Sequence, residues 1–322
     1  MRRYARIAGT GGYLPETVRT NDDIARLVDT SSEWVMERTG IYSRRIAGPH
    51  ETASSMAEIA ARQAIEAAGC AATDIDLIIL ATSSPDRVFP STACLLQQRL
   101  NIRDCAAFDV QAACSGFIFA LSVADQYIRT GNVRRVLVVG SEINSRLVDW
   151  TDRTTCILFG DGAGAVVLEA ADEPGLLSTH ISSDGQYQDL LYLPNPAPEF
   201  DKREGDKRYI KMQGNEVFKI AVNTLGKIVD ETLAANNMEK SDIDWLVPHQ
   251  ANIRIITATA KKLKMPMERV VCTIETQGNT SSASVPLALN EAIRDGRIQR
   301  GHIVLMEAFG GGFAWGSALA RY

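Results

Sequence analysis

Residues 105–140 read CAAFDVQAACSGFIFALSVADQYIRTGNVRRVLVVG, and the spacing of apolar residues changes twice along them. The short apolar segment 105–110 predicts a strand. Apolar residues then recur at helical spacing from Cys114 to Ile128, and a buried strand is predicted after Gly131. A strand, a helix and a strand in this order indicate a layered α/β architecture.

The same alternation continues on both sides of this stretch. Residues 52–68 predict a helix with Thr and Ser cap candidates, and LIILAT after Asp76 predicts a strand that is buried on both faces. The segment AVVLEA predicts a further strand. The second half of the chain repeats the pattern with a helix at 215–235, a strand in WLVP, a strand in MERVVCTI, a helix at 284–294 and a strand in HIVLMEA.

Composition limits the classes of protein to which the chain can belong. It has 322 residues, a net charge of −5, 45% apolar residues and 23% charged residues. These values predict a globular protein of two packed units or one large core, without a nucleic-acid partner. No apolar run approaches the roughly 20 residues of a membrane span, and the amino terminus lacks the apolar segment of a secretory signal. Six cysteines without clustered spacing argue against a disulfide framework or a structural zinc site. We therefore expect a cytoplasmic protein that does not contact a membrane.

The two halves of the chain resemble copies of each other. Asp74-Ile75-Asp76 recurs as Asp242-Ile243-Asp244, and Ile128-Arg129-Thr130-Gly131 recurs in similar form as Ile293-Arg294-Asp295-Gly296. Each match falls at the same point of a helix–turn–strand unit, and a repeat near half the chain length indicates an internal duplication, not a solenoid. We expect an amino-terminal half at residues 1–172 and a carboxy-terminal half at residues 173–322.

Cys114 is the first candidate catalytic residue, because it lies between a predicted strand and a predicted helix. Backbone N–H groups and the dipole at a helix start favour the thiolate, which is the nucleophilic form of cysteine. Small neighbours from Ala112 to Gly116 leave room for a substrate. Cysteine is also a common small residue of protein cores, so the position alone leaves a structural role open.

His249 and Asn279 are the second and third candidates. His249 follows the strand WLVP at its carboxyl end, where α/β folds place ligands, and Asn279 lies in a polar loop before a helix. Each also fits a structural role. A lone histidine is often structural, and Asn next to Gly is a common turn signal. The duplication gives Asn279 the position of Cys114 in the other half, and it gives His249 the end of the strand that corresponds to LIILA. We expect the three residues to share one pocket, as a nucleophile with two hydrogen-bond donors for an oxyanion.

Two glycine-rich stretches do not fit a nucleotide site. Residues 159–164 read FGDGAG, lack the GxGxxG spacing and lead into a strand, whereas a phosphate cradle needs a helix start. Gly310-Gly311-Gly312 follow a predicted strand and are more typical of close backbone approach to a ligand.

The chain resembles the β-ketoacyl-acyl-carrier-protein synthase III family, through AACSGF at Cys114, PHQANIRI at His249, GNTSSASVP at Asn279, FGDGAGA and EAFGGGFAWGSALARY. The resemblance runs essentially end to end, beginning with GTGGYLPE and TSSEWVMERTGI. It implies an α/β, thiolase-like fold with a duplicated αβαβα five-layer architecture, and a homodimer. It also implies a decarboxylating Claisen condensation of an acyl-CoA primer with malonyl-acyl-carrier-protein, through an acyl-cysteine, which initiates type II fatty acid synthesis. No metal or other cofactor is implied, since the CoA thioester is a substrate.

The resemblance implies further site residues by motif match. The backbone N–H groups of Cys114 and Gly311 would hold the oxyanion. The implied substrate-binding residues run from the CoA adenine and phosphate end to the pantetheine tunnel, and they are Thr30, Trp34, Arg38, Arg153, Phe159, Gly214, Phe218 and Asn252. Phe89 would cross a dimer interface and close the acyl pocket of the other subunit. Asn144 and Trp150 lie in a region that shapes this pocket, and they leave the acyl length open.

A basic cluster follows His249 in the sequence. The family's carrier protein is acidic, and oppositely charged surfaces favour docking. The candidate docking residues are Lys219, Gln250, Arg254, Lys261 and Lys262, with Lys264 and Arg269 in the same cluster. Arg254 and Lys261 are seven residues apart and would share a helix face. A solvated charged face is the alternative interpretation.

Three other functions are compatible with parts of the pattern. A related condensing enzyme of specialised metabolism, such as a polyketide starter enzyme or a quinolone-type synthase, shares the same three residues. A catalytically silent partner of a carrier protein is disfavoured by the intact Cys-His-Asn set. A thioester hydrolase needs a general base for water, and no Asp or Glu accompanies the three motifs.

Overall fold

The computed structural model of the chain describes residues 3–195 and 209–322. Within them the chain forms thirteen strands, which are β1 (Tyr4–Tyr13), β2 (Thr17–Thr20), β3 (Ser43–Ile46), β4 (Leu77–Ala81), β5 (Ala106–Val110), β6 (Arg135–Ile143), β7 (Asp161–Ala171), β8 (Leu176–Ser183), β9 (Leu191–Tyr192), β10 (Lys211–Met212), β11 (Trp245–Pro248), β12 (Ile303–Gly310) and β13 (Ala314–Arg321). The same residues form ten α-helices, which are α1 (Asn21–Ala25), α2 (Ser32–Thr39), α3 (Ala53–Ala67), α4 (Thr92–Arg99), α5 (Gly116–Arg129), α6 (Arg153–Cys156), α7 (Gly214–Ala235), α8 (Ile253–Leu263), α9 (Ile274–Gln277) and α10 (Ser284–Arg294).

Two mixed sheets carry the fold. The first has five strands in the order β1-β7-β6-β4-β5, and the second has four strands in the order β11-β12-β13-β8. In the first sheet β4 is parallel to both β5 and β6, in the second sheet β11 is parallel to β12, and antiparallel partners complete both sheets. An isolated parallel bridge from Leu246 to Val270 takes the place that β5 has in the first sheet. Since β7 ends at Ala171 and β8 begins at Leu176, this repetition supports our proposed division into residues 1–172 and 173–322.

Helices α5 and α10 lie between the two sheets and contact both of them. Their apolar side chains, for example Phe117, Leu121 and Leu289, are fully buried, as expected for helices enclosed on both sides. Helices α3 and α4 cover the outer face of the first sheet, and α7 packs on the second sheet with α8 beside it. The layers therefore follow the order αβαβα.

Short side chains let α3 approach the first sheet closely. A Cβ atom at Gly11 would lie 2.1 Å from the carbonyl oxygen of Ala60, so only glycine fits this position of β1. The start of α3 is fixed by Thr52, whose hydroxyl accepts the N–H of Ser55. These contacts hold β1 and β7 against the outer helix layer.

The structure confirms the predicted strands LIILAT, CAAFDV, VRRVLVVG, AVVLEA, WLVP and HIVLMEA as β4, β5, β6, β7, β11 and β12. It also confirms the helices predicted at 52–68, 215–235 and 284–294 as α3, α7 and α10. The helix predicted from Cys114 begins with a 3-10 turn at Ala113–Ser115 and continues as α5.

The strand predicted in residues 267–274 is wrong. This segment forms a 3-10 turn at Met267–Arg269, the single bridge at Val270, and the start of α9. The Gln250 side chain supplies the hydrogen bonds that a longer ladder would make: it donates to Pro248 O at 2.7 Å and Val271 O at 3.0 Å, and it accepts from two backbone N–H groups at Thr273 and Ile274. Side-chain hydrogen bonds therefore replace strand pairing at this edge.

Within residues 3–195 and 209–322, no helix has both the length and the apolar character that crossing a bilayer requires.

Candidate active site

Cys114 lies at a sharp turn between β5 and α5. Ala113, immediately before it, has a φ of 47°, in the left-handed region that side chains rarely adopt. The Ser115 hydroxyl donates to the carbonyl oxygen of Ala314 at 2.8 Å, which ties the turn to the second sheet. A Cβ atom at Gly310 would lie 2.7 Å from the Cys114 nitrogen, so only glycine lets the end of β12 pass the Cys114 backbone. The two halves of the chain thus meet at the Cys114 backbone.

His249 follows directly after β11, at its carboxyl end. Its backbone N–H donates to Glu307 O on β12 at 2.8 Å, and the residue is buried. Its Nδ1 atom lies 2.5 Å from the hydroxyl oxygen of Ser284. Burial lowers the pKa of the His249 imidazole to about 3, so the ring is neutral at physiological pH.

Asn279 is held by backbone and side-chain contacts at once. Its N–H donates to Leu158 O at 2.9 Å, and its carbonyl accepts from the Gly160 N–H at 3.0 Å. The preceding Gly278 has a φ of 67°, which turns the chain into this position. Because the Asn279 Oδ1 atom accepts the Ser281 N–H at 2.9 Å, the amide Nδ2 is the group left to donate. The FGDG stretch thus supports the loop that carries Asn279.

The three candidates line one cavity of about 470 Å³, as predicted from the duplication. Cys114 also lines a second cavity of about 390 Å³, together with Asn144, Gly311 and Gly312. Cys114 therefore borders two chambers, of which the first also contains His249 and Asn279.

The other predicted site residues divide into two groups. Those that line the first chamber are Trp34, Arg38, Phe159, Gly214, Phe218, Asn252 and Arg254, and Gly311 lines the second. Those that line neither chamber are Thr30, Phe89, Arg153, Lys219, Gln250, Lys261 and Lys262.

Two arginines stack on the ring of Trp34, which lines the first chamber. The guanidinium carbons of Arg38 and Arg153 lie 4.2 Å and 4.8 Å from the ring centroid. Arg153 also donates to Asp29 O at 2.7 Å, which brings it to the segment before Thr30. The Thr30 hydroxyl is buried and has no hydrogen-bond partner among the described residues. A flat aromatic group with phosphates fits such a surface, because guanidinium planes both stack and bind phosphate oxygens.

The prediction that Gln250 belongs to a docking surface is wrong. Gln250 is only 1% exposed, and its amide is occupied by the four internal hydrogen bonds described above. No partner protein can reach this side chain, because Gln250 belongs to the framework behind His249.

The basic cluster is partly free and partly engaged. Helix α8 exists as predicted, and Arg254, Lys261 and Lys262 are exposed on it, with Arg254 stacked 5.1 Å from the Phe218 centroid. Lys219 is paired with Glu216 at 2.8 Å, and Arg269 turns towards Asp244 at 3.4 Å.

The expected thiolate at Cys114 is not the resting form. Burial raises the pKa of the Cys114 thiol to about 11, although a hydrogen-bond contact from Ser281 acts in the opposite direction. With this pKa the Cys114 thiol is protonated at neutral pH.

Sequence reasoning missed a polar group behind the site. Glu142 on β6 is fully buried and accepts the Ser84 hydroxyl at 2.6 Å and the Ser281 and Ser282 hydroxyls at 3.2 Å and 2.9 Å. It thus ties the end of β6 to the Asn279 loop. The signal was present as a carboxylate in the apolar strand RVLVVGSEI, but its serine partners lie far away in sequence.

Comparisons with known proteins agree with this geometry. Residues 108–185 match the family 3-oxoacyl-[acyl-carrier-protein] synthase III, and residues 233–322 match the carboxy-terminal part of that family. The chain is 75% identical over all 322 residues to the β-ketoacyl-[acyl-carrier-protein] synthase III of Methylococcus capsulatus, with 100% of both chains covered.

Solved structures share the fold. The 3-oxoacyl-[acyl-carrier-protein] synthase III of Aquifex aeolicus superposes with a TM-score of 0.94 at 46% identity and covers 99% of this chain and 100% of its own. The priming β-ketosynthase of the R1128 polyketide pathway also has a TM-score of 0.94, at 36% identity, with 99% and 96% covered. The fold is therefore the α/β, thiolase-like fold that the sequence resemblance implied.

Alkylation of Cys114 should show its raised pKa. Because only the thiolate reacts, the rate with iodoacetamide should rise about tenfold per pH unit from pH 7 to pH 9.5 without levelling off. The measurement is site-resolved peptide mass spectrometry, with free cysteine in the same solution as the control, whose rate levels off above its pKa of about 8.5. A plateau for Cys114 near neutral pH would show that the thiolate is already formed at rest.

Proposed function

The chain belongs to the β-ketoacyl-[acyl-carrier-protein] synthase III family, and we propose that Cys114, His249 and Asn279 perform its condensation. The enzyme is an acyltransferase of fatty acid biosynthesis. The observation that carries the assignment of residues is the shared cavity, which Cys114, the neutral imidazole of His249 and the free amide Nδ2 of Asn279 all line. The proposed substrates are an acyl-CoA primer and malonyl-acyl-carrier-protein.

In the first half-reaction, the sulfur of Cys114 attacks the thioester carbonyl of acyl-CoA. The carbonyl oxygen becomes an oxyanion that the backbone N–H groups of Cys114 and Gly311 hold, which is supported by the position of Gly311 in the second chamber. Collapse of this intermediate forms the acyl-cysteine and releases CoA, and the proton of the Cys114 thiol ends on the CoA thiol. A covalent intermediate splits the condensation into two easier steps.

In the second half-reaction, malonyl-carrier protein enters and loses CO₂. Charge then develops on its thioester oxygen, and His249 and Asn279 donate hydrogen bonds to that oxygen. One preorganised donor of this kind typically contributes about 3–4 kcal/mol to transition-state stabilisation. The resulting carbanion attacks the acyl-cysteine carbonyl, and the new carbon–carbon bond leaves a β-ketoacyl chain on the carrier. The carbon–sulfur bond breaks, and the released Cys114 thiolate takes a proton from solvent to restore the resting thiol.

The first chamber is the proposed channel for the CoA and carrier arms. Trp34, Arg38 and Arg153 would hold the adenine and phosphate end, with Thr30 beside them, because two guanidinium groups already stack on the Trp34 ring. Phe159, Gly214, Phe218 and Asn252 would line the pantetheine path. Asn252 is well fixed for this role, since it caps α8 and donates to Arg38 O at 2.9 Å.

A homodimer is the proposed assembly. Phe89 is 83% exposed and its neighbour Val88 is 96% exposed, so the tip of this loop presents apolar side chains to solvent. Burial of such a tip against a second copy would remove apolar surface from water. Phe89 would then close the acyl pocket of the other subunit. The cytoplasmic location stays a prediction.

A priming condensing enzyme of specialised metabolism is the second candidate. The similarity to the R1128 priming β-ketosynthase favours it, and Asn144 adds a polar side chain to the second chamber. Intact-protein mass spectrometry after incubation with a panel of acyl-CoAs would separate the candidates by the primer that loads Cys114.

Substitutions should separate the two half-reactions. Cys114→Ala should abolish acyl loading, whereas His249→Ala and Asn279→Ala should still load acyl groups. Each of the latter two should lose decarboxylation of malonyl-carrier protein by roughly 10²–10³-fold, because each removes one oxyanion donor. Intact-protein mass spectrometry measures loading, and release of labelled CO₂ measures decarboxylation. An equal loss of both half-reactions in the His249 or Asn279 variant would show that these residues serve the cysteine.

The exposed cations of α8 are the proposed docking patch for the acidic carrier. Arg254→Glu with Lys261→Glu should lower kcat/KM for malonyl-carrier protein roughly tenfold at low salt, because complementary charge raises the rate of encounter. The wild-type rate should also fall more steeply with ionic strength than the variant rate, since the Debye length is about 10 Å at 0.1 M salt.

Two controls isolate the docking effect. Arg103→Glu with Arg134→Glu changes the net charge by the same amount as the double variant, at exposed positions outside α8, and should keep the wild-type rate. Lys261→Glu alone should spare acyl transfer from CoA, because Lys261 does not line the chamber, unlike Arg254. Full activity of the double variant with the carrier at low salt would show that α8 is only a solvated face.

A further inference from the structure

Ser284 is a buried residue that contacts the active site from behind. It is the first residue of α10 and is 1% exposed. Its hydroxyl oxygen lies 2.5 Å from His249 Nδ1, and the backbone N–H of Gln250 donates to the same oxygen at 3.4 Å. It lines neither chamber, so it does not meet the substrate.

The hydrogens of this group can be assigned one by one. The Gln250 N–H occupies one lone pair of the Ser284 oxygen. Among the described residues the Ser284 hydroxyl has only one further hydrogen-bond partner, which is His249 Nδ1. The hydroxyl therefore donates to Nδ1, and Nδ1 carries no proton. A neutral imidazole has a single N–H, so in His249 this N–H is at Nε2.

We propose that Ser284 is a positioning residue that holds His249 in the Nε2–H tautomer, so that the histidine can only donate to the substrate. The inference rests on the proposed function, because it explains why His249 acts there as a donor. Burial keeps the ring neutral, since it lowers the pKa of His249 to about 3.

The opposite arrangement is disfavoured for two reasons. If Nδ1 carried the proton and donated to Ser284, the serine hydrogen would be left buried without an acceptor, which is costly. The Nε2 atom would then present a lone pair to the developing enolate oxygen, and two acceptors repel each other. The stabilisation of the transition state would be lost at this position.

The row of hydrogen bonds from Gln250 through Ser284 to His249 is fixed at its Gln250 end. The Gln250 backbone cannot turn away, because its own side chain is anchored to Pro248, Val271, Thr273 and Ile274. The direction of the chain thus runs from the Gln250 N–H to Ser284, from Ser284 to Nδ1, and from Nε2–H to the substrate. Gln250 therefore also helps to fix the tautomer of His249.

The test is the tautomer of His249 in the intact enzyme, read by ¹⁵N NMR of histidine-labelled protein. The chain has only four histidines, and the His249→Ala spectrum assigns the signal. Wild type should show an unprotonated Nδ1 and a protonated Nε2 between pH 5 and pH 9. Ser284→Ala should show a mixture of both tautomers, and Ser284→Thr, which keeps the hydroxyl, should restore the wild-type pattern.

Kinetics provide the second readout. Ser284→Ala should slow decarboxylation of malonyl-carrier protein roughly 10- to 100-fold, the range for loss of a partner that orients a histidine, with acyl loading from CoA unchanged. Ser141→Ala is the matched control, because it removes another buried serine hydroxyl, which donates at 2.8 Å to the carbonyl oxygen of Ala53, the first residue of the outer helix α3. It should change neither the NMR signal nor the rates.

The two readouts keep the inference separate from the proposed function. A protonated Nδ1 in wild type, or an unchanged tautomer and unchanged decarboxylation in Ser284→Ala, would overturn the role of Ser284. An enzyme that shows the expected tautomers but neither loads acyl groups nor decarboxylates malonyl-carrier protein would overturn the proposed function instead, since the NMR measurement needs no substrate.

Discussion

Enclosure of α5 and α10 between the two sheets is the constraint on which the site depends. Both helices begin at the same level of the molecule, so the turn before α5 and the loop before α10 meet. Cys114 belongs to the first and Asn279 to the second. The end of β12 lies so close to the Cys114 nitrogen that residue 310 must be glycine. His249 joins them because β11 ends at the same place, next to β12. The burial that stabilises the middle layer therefore also brings the three residues together.

The second feature of the site is that its polar side chains offer hydrogen-bond donors, and not acceptors, to the substrate. Asn279 Oδ1 accepts the Ser281 N–H, which leaves the Asn279 amide to donate. With the hydrogen bond that we propose from Ser284 to His249 Nδ1, the free nitrogen of His249 is likewise a donor. A site with donors and no acceptor favours negative charge on an oxygen over a neutral carbonyl, and it acts without the solvent reorganisation that water would need. The same burial keeps His249 neutral and Cys114 protonated at rest. Selectivity for the transition state thus follows from which atoms are already occupied.

Local pattern and the internal repeat were enough to predict much of this arrangement. The βαβ stretch indicates Cys114, and the duplication alone connects Asn279 and His249 to it. The failures share a cause, which is contacts between residues far apart in sequence. The sequence predicts Gln250 as a surface residue beside a basic cluster, but it is buried. Its side-chain hydrogen bonds take the place of the strand pairing predicted at 267–274. Desolvation of Cys114 depends on the packed cavity, and Ser284 and Glu142 gain their partners only in the fold, so sequence spacing could not reveal these contacts.

The central claim is that His249 and Asn279 direct two hydrogen bonds to one thioester oxygen. Isotope-edited infrared spectroscopy of a ¹³C-labelled, non-decarboxylating malonyl thioester bound to the enzyme measures this directly, because each hydrogen bond to a carbonyl lowers its stretching frequency. We predict a lowered frequency in wild type, part of that shift in His249→Ala or Asn279→Ala, and none in the double variant. A frequency that is the same in wild type and in both single variants would contradict the claim.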